Sequence, residues 1–513
     1  MRERFSRDTV LTLLGLFFLT VATRIPFTSK FLYHIDSVNY ALALERYDIT
    51  VHQPHPPGYF LYVMLGRLFY LFIGDANAAL VTMSIVFSGL TVVVIYLLTE
   101  DMYDSKTGGI AACFAITSPN LWFHGEVALS YGIEAFFSAL VGWFCWKLYT
   151  GRYQYIWISV LALGIAGGIR QNTVVFLFPL WLFAVRKAPL RKIIASIGLL
   201  GVVCFSWFAP MVNMTGGWNA YTGAFRELME FTTRHNSVFD RGWVAFKLYS
   251  QTLYDFTIYS AGSGILAIGF AAYVRLRKKT PQATSGSNVC LFIAAWSLPS
   301  FIFYLLIFIH PANPGYALIF TPPLLVISAS ATVYMCKELH RLVDHDITAA
   351  LILVLLLINT GVFMYSSYMI SWKTIKNHDR DIELMVEDMR SFDPNTTVFI
   401  GNNYVFYGFR QIMYYLPQYR TYQANASKSP SGKRRIIFCG FNRDTYLSEK
   451  IQLPTNIHNI ATVLVGDDRK QVDSYKSIVI RQVLPHIAVA SGPVGVMGKI
   501  YPNMTIIQDG CVD

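Results

Sequence analysis

Apolar residues dominate this chain up to about residue 370, and beyond that point they no longer do. Long apolar runs lie near 9–27, 77–99, 108–123, 132–149, 154–169, 172–186, 193–212, 252–274, 288–309, 315–336 and 347–368. A spanning helix needs about 20 apolar residues, so the runs predict about eleven transmembrane helices. From Trp372 the pattern changes to that of a soluble domain. Short runs such as T-V-F-I (397–400), R-I-I-F-C-G-F (435–441), T-V-L-V-G (462–466) and S-I-V-I (477–480) read as strands, and 379–391 has helical periodicity. The expected architecture is an α-helical polytopic membrane domain over 1–370 and a small extracytoplasmic α/β domain over 371–513.

The loops orient the expected spans. With the N-terminal Arg2, Arg4 and Arg7 inside, the inner loops hold Lys106, Lys147, Arg152, Arg186, Lys187, Arg191, Lys192, Arg275, Arg277, Lys337 and Arg341. Basic short loops stay cytoplasmic, so nearly every compact basic cluster falls on one side. Pro57–Ile73 is apolar as well, but counting it as a span would invert every later loop. It contains Arg67 and starts at a proline, and it is expected to lie in the membrane interface with Arg67 snorkelling. The first external loop then covers 28–75.

Composition supports this reading. The chain is 54% hydrophobic and 14% charged, whereas soluble proteins carry about 25% charged residues. The net charge of +11 is accounted for by the cytoplasmic loops and calls for no nucleic acid partner. The seven cysteines have no zinc-type spacing, and a Cys439–Cys511 disulfide is open if that part lies outside the cytosol.

The densest chemistry lies in Tyr33–Tyr59, Y-H-I-D-S-V-N-Y-A-L-A-L-E-R-Y-D-I-T-V-H-Q-P-H-P-P-G-Y. Ionisable groups beside a first span point to function. Asp36 suits a general base; it also suits a helix N-cap or an ion-pair partner of Arg46 or Arg24. His52 and His55, in a proline-rich loop expected to be extended, suit metal binding, phosphate contact or plain loop support. His124 and Glu126 in H-G-E-V-A-L-S-Y suit a second acid–base pair or a solvated loop. Arg170, in G-G-I-R-Q-N-T-V-V-F, suits bidentate binding of phosphate or an interfacial anchor. His310 and Tyr316, in H-P-A-N-P-G-Y, suit donor-phosphate or metal binding or a self-satisfied turn.

In order and topology, these segments resemble the GT-C superfamily of integral-membrane glycosyltransferases, nearest the protein O-mannosyltransferase branch and its bacterial aminoarabinose-transferase relatives. The likeness rests on Y-H-I-D-S-V-N-Y, H-P-P-G-Y-F-L-Y, S-P-N-L-W-F-H-G-E-V-A-L-S-Y and G-I-R-Q-N-T-V-V-F-L-F-P-L-W, and covers about the first 370 residues in order. The resemblance implies transfer of a sugar from a polyprenyl-phosphate-linked donor to an acceptor protein, lipid or glycan on the extracytoplasmic face. It makes Asp36 the base, places His55 near the donor phosphate and Glu126 facing the site, and makes Arg170 a candidate for the leaving phosphate. The acid of the first loop is usually followed by a second acid, whereas Ser37 follows Asp36 here. That leaves a divalent metal ion as an open expectation. The expected location is a plasma membrane in preference to the endoplasmic reticulum. Two competing readings are a lipid or sugar transporter or flippase, and a non-catalytic subunit of a glycan-assembly complex. A transporter would place ionisable groups near the midplane in two related halves, a pattern this chain does not show.

Overall fold

In the computed structural model, residues 6–234, 236–278, 284–343, 347–401, 404–428, 434–442, 445–450, 456–465 and 479–493 are described. The helices begin with α1 (Arg7–Arg24), α2 (Ile35–Glu45), α3 (Phe60–Ile73), α4 (Ala76–Met102), α5 (Ser105–Thr117), α6 (Pro119–Phe123) and α7 (Tyr131–Tyr149). They continue with α8 (Ile156–Ile169), α9 (Gln171–Val185), α10 (Leu190–Met214), α11 (Trp218–Met229), α12 (Val238–Arg241) and α13 (Trp243–Ala261). The last are α14 (Gly264–Lys278), α15 (Thr284–Leu306), α16 (Thr321–Val343), α17 (Thr348–Tyr365), α18 (Trp372–Met389) and α19 (Phe409–Tyr415).

The chain divides into two compact units. One comprises Met1–Ser29 with Pro56–Ile375, and the other Lys30–His55 with Lys376–Asp513. The first external loop is therefore shared: its early part belongs with the C-terminal residues, and α3 belongs with the helical unit.

In the helical unit, five stretches among the described residues are long and apolar enough to cross a bilayer: Arg7–Phe27, Ala76–Met102, Leu190–Met214, Val289–Leu306 and Thr348–Tyr365. The run at 252–274, expected as one straight span, is instead divided between α13 and α14, which meet at a bend of 99°. The break falls at Gly262, whose φ of +55° lies in the left-handed region that glycine adopts without penalty. The other expected spans fall on α5, α7, α8, α9 and α16. Of these, α5 has 13 residues and α8 has 14; at 1.5 Å per residue each is about 20 Å long, short of the roughly 30 Å hydrocarbon core. The 14 residues of α3 are equally short, in keeping with an interfacial helix. The centre of this unit is α4, buried along most of its length and packed by α1, α3, α5 and α7. By contrast, α1, α10 and α17 leave Phe18, Val202, Phe205, Leu353 and Leu357 exposed, the pattern of helices whose outer faces meet lipid.

The second unit is built on seven strands: β1 (Thr397–Gly401), β2 (Arg420–Lys428), β3 (Arg434–Asn442), β4 (Thr445–Lys450), β5 (Asn459–Val465), β6 (Val479–Leu484) and β7 (Ile487–Pro493). Their order in the sheet is β4-β3-β2-β1-β5-β7-β6. β1 is parallel to β2 and β5, and every other pairing is antiparallel. Of these, β2, β4 and β7 were not expected from the apolar runs. Ile382, Met385, Val386 and Met389 recur along α18 at helical spacing and pack with Ile412 and Leu416 against Phe399, Ala461, Val463 and Val489 of the sheet. Residues 30–35 dock by backbone hydrogen bonds. The Asp379 carboxylate accepts from the N–H groups of Lys30 (2.9 Å) and Phe31 (3.2 Å), the Tyr415 hydroxyl accepts from Leu32 N–H (2.7 Å), and Ile35 N–H donates to Val405 O (2.7 Å). Cys511, the proposed partner of Cys439, lies outside the described residues.

Candidate active site

Two groups of candidate residues take shape, one in each unit. In the second unit, Asp36 is the second residue of α2, close to the positive end of the helix dipole. The N-cap is His34, whose Nδ1 accepts the Asp36 N–H at 3.0 Å. The Asp36 carboxylate lies 3.5 Å from His34 Nδ1 and 3.5 Å from His55 Nδ1, and its side chain stays 17% exposed. His55 is set against the ring of Tyr40 at 5.6 Å. Arg46, one of its expected partners, pairs with Asp48 at 3.0 Å; the other, Arg24, lies beside Glu126 in the helical unit.

The His52 loop is closed rather than extended. Asp48 and Gln53 exchange backbone hydrogen bonds (2.6 and 2.9 Å), and His52 turns with φ of +56°. Arg410 of α19, itself buried, donates to Val51 O at 2.5 Å. Burial, reinforced by the Arg410 guanidinium and the His55 ring, lowers the His52 pKa to about 3 against the opposing pull of Asp36. Among the described residues no three His, Cys, Asp or Glu side chains gather as a metal-binding group. The Arg410 guanidinium close to His52 opposes a cation there, and the Asp36 carboxylate favours one.

In the helical unit, the group centres on Tyr131, the first residue of α7. Arg170 is an extended residue (φ −145°, ψ 118°) between α8 and α9. Its Nε lies 3.0 Å from Glu134 Oε2, and both side chains are almost wholly buried. Thr173 Oγ1 donates to the other Glu134 oxygen at 2.8 Å, and Arg170 Nη1 donates to Ser130 Oγ at 3.1 Å. The guanidinium lies 4.1 Å from the centre of the Tyr131 ring, 5.3 Å from that of Tyr59 and 5.9 Å from that of Tyr316. His124 sets its ring 5.5 Å from Tyr131, and its Nδ1 is bonded to Asn120 O at 2.9 Å. The packing is close at Gly315, where a Cβ would come within 2.2 Å of the Tyr131 ring and 2.7 Å of His124 Nε2. Arg170, His124 and Tyr316 are therefore gathered around Tyr131.

Glu126 and His310 have further contacts. Glu126 is fully buried; burial pushes its carboxyl well above the usual range, although the Arg24 guanidinium and the Trp122 indole N–H pull it down. Arg24 sits 4.8 Å over the Trp122 ring. His310 turns back on its own loop, its Nδ1 accepting the Ala312 N–H at 3.2 Å.

Sequence reasoning had not singled out Glu134, Tyr131, Tyr59, His34 or Arg410. An acid inside an apolar run was the available signal for Glu134, and proximity to Asp36 the signal for His34. Nothing local marks Arg410.

Residues 46–192 match the family model described as the protein O-mannosyl-transferase TMEM260 N-terminal domain. No curated protein matches the chain in sequence. ArnT from Cupriavidus metallidurans, solved bound to undecaprenyl phosphate, superposes with a TM-score of 0.55 at 12% identity, covering 95% of this chain and 98% of ArnT. The apo form of ArnT gives a TM-score of 0.54 at 13% identity over 94% and 97% of the two chains. An oligosaccharyltransferase from Archaeoglobus fulgidus aligns at 12% identity with a TM-score of 0.49, over 90% of this chain and 70% of its own. The chain shares the fold of ArnT, and its 46–192 segment matches the protein O-mannosyl-transferase TMEM260 N-terminal model.

Proposed function

We propose that this chain is a membrane glycosyltransferase that moves a sugar from a polyprenyl-phosphate-linked donor to an acceptor hydroxyl on the extracytoplasmic face, with Asp36 as the general base. The observation that carries the reading is Asp36 itself. It is a partly exposed carboxylate at a helix N-terminus, 3.5 Å from two imidazoles, in the segment whose sequence resembles the first catalytic loop of the superfamily. The fold shared with ArnT, which was solved with undecaprenyl phosphate, supports a donor of that class. In the step, the acceptor oxygen attacks the anomeric carbon while its proton passes to Asp36. The bond from that carbon to the phosphate oxygen breaks, and polyprenyl phosphate leaves with the electron pair. The closed 48–53 loop and its Arg410 anchor hold His55 beside the base. The positive-inside pattern of the loops supports about eleven crossings with this chemistry outside and the C-terminal α/β residues on the same face.

The test is transfer of label from radiolabelled polyprenyl-phosphate sugars to membrane extract by the purified chain in nanodiscs. Asp36→Asn should lower transfer by about 10²–10⁴-fold, the usual worth of a general base, with membrane insertion unchanged. A fully active Asp36→Asn removes the base. No label from any donor moves the assignment to a transporter or an assembly subunit. The same assay with EDTA reads any need for a divalent ion.

A further inference from the structure

Where α5 and α17 begin and α16 ends, the helical unit contains a cavity of about 200 Å³, far more than the roughly 30 Å³ that one water occupies. Its inner wall is apolar: Ile110 and Cys336 are buried and Val333 is half-buried. The basic side chains that line it, Lys106, Lys337 and His340, are exposed. Among the described residues neither lysine ammonium lies within ion-pair distance of a carboxylate.

The nearby described acids already have partners. Asp104 caps α5, its Oδ1 accepting from the N–H (2.7 Å) and hydroxyl (2.9 Å) of Thr107. Glu338 is paired with Arg341 at 2.9 Å. Asp344 and Asp346, in the link to α17, lie outside the described residues. The cavity is at the opposite end of α5 from the loop that carries His124 and Glu126, so it is separate from both candidate groups of the active site.

We propose that this cavity binds a phosphate group, presented by an anionic lipid head group. The exposed lysines at the rim answer the phosphate, and the apolar wall answers the carbon that a free phosphate lacks. Basic pockets between membrane helices on the cytoplasmic side are suited to such head groups, and in the expected threading Lys106, Lys337 and Arg341 lie on that side.

The test titrates the purified, delipidated full-length chain with short-chain phosphatidylglycerol, with phosphatidylcholine and with inorganic phosphate, and reads occupancy by native mass spectrometry. Phosphatidylglycerol should bind in preference to phosphatidylcholine. Lys106→Ala/Lys337→Ala should weaken it by about fivefold per lysine, and Lys337→Arg should retain it. Val333→Phe, which fills the cavity and keeps every charge, should weaken it as well. Lys187→Ala/Lys192→Ala, an equal loss of charge elsewhere, should leave it unchanged. Equal losses in the two double variants would overturn the site, as would binding indifferent to Lys106 and Lys337. Lysine-dependent binding of inorganic phosphate as tight as that of the lipid would keep the phosphate site and remove the lipid as its source.

Discussion

The pairing of Arg170 with Glu134 gives the sharpest test of the helical unit, because two roles for the arginine predict opposite behaviour. The pair is almost wholly buried, with Nε and Oε2 3.0 Å apart. Replacing Arg170 by Met leaves the Glu134 carboxylate buried with only Thr173 as a donor, a loss of about 3–5 kcal/mol. It also removes the stacking of the guanidinium on Tyr131 at 4.1 Å, worth about 1–2 kcal/mol when desolvated. Glu134→Gln strands the arginine in the same way. Arg170→Met/Glu134→Gln leaves no uncompensated charge, so it should be more stable than either single variant, with a coupling of at least ~2 kcal/mol. Thermal unfolding of the three variants in one detergent, followed by tryptophan fluorescence, gives the rank order. The reasoning fails if Arg170→Met melts with the parent, or if the double variant is worse than both singles together. The transfer assay then separates the roles. A folded double variant that still transfers sugar makes Arg170 a structural partner, whereas a folded but inactive one supports its expected contact with the leaving phosphate.

Other positions give further checks. His52 is held neutral in the fold with a pKa of about 3 by burial, Arg410 and His55, and an unfolded histidine titrates near 6.5. Its contribution is therefore complete above pH ~6.5 and is lost as pH falls towards 3, by up to about 1.4 kcal/mol per pH unit. His52→Asn, a residue that tolerates the positive φ, should flatten the acid limb of a stability-versus-pH curve, and an unchanged limb would refute this account. Gly315→Ala places a methyl group against the Tyr131 ring and His124; overpacking of this kind costs about 1–3 kcal/mol, measured as a lower melting temperature. Asp379→Asn can no longer accept from both the Lys30 and Phe31 N–H groups, and limited proteolysis within 30–55 should accelerate. Equal cleavage of variant and parent would place the docking elsewhere.

Much of the candidate site was legible because the residues concerned are close in sequence. Asp36, His52 and His55 stand in one polar stretch between apolar runs, and a change of polarity beside a span is visible without coordinates. What they meet was not visible. Arg410, which anchors the His52 loop, lies far down the chain in α19, and the pairing reflects the packing of α19 near α2 rather than any local pattern. Glu134 stood in plain view inside an apolar run, but only the break between α8 and α9 brings Arg170 to it.

The sequence by itself determined the apolar runs, the basic clusters in the segments between them and the concentration of acids and histidines after the first run. Each follows from chain-local physics: the length a helix needs in hydrocarbon, the placement of charge, and the desolvation of ionisable groups. Tertiary structure alone decided that the run at 252–274 bends at Gly262, that 30–55 joins the C-terminal unit, and that β1 is flanked by β2 and β5. It also put Arg24 beside Glu126. These are choices among partners that many segments could satisfy equally well one at a time. They are fixed only when burial, hydrogen bonding and charge pairing are satisfied together.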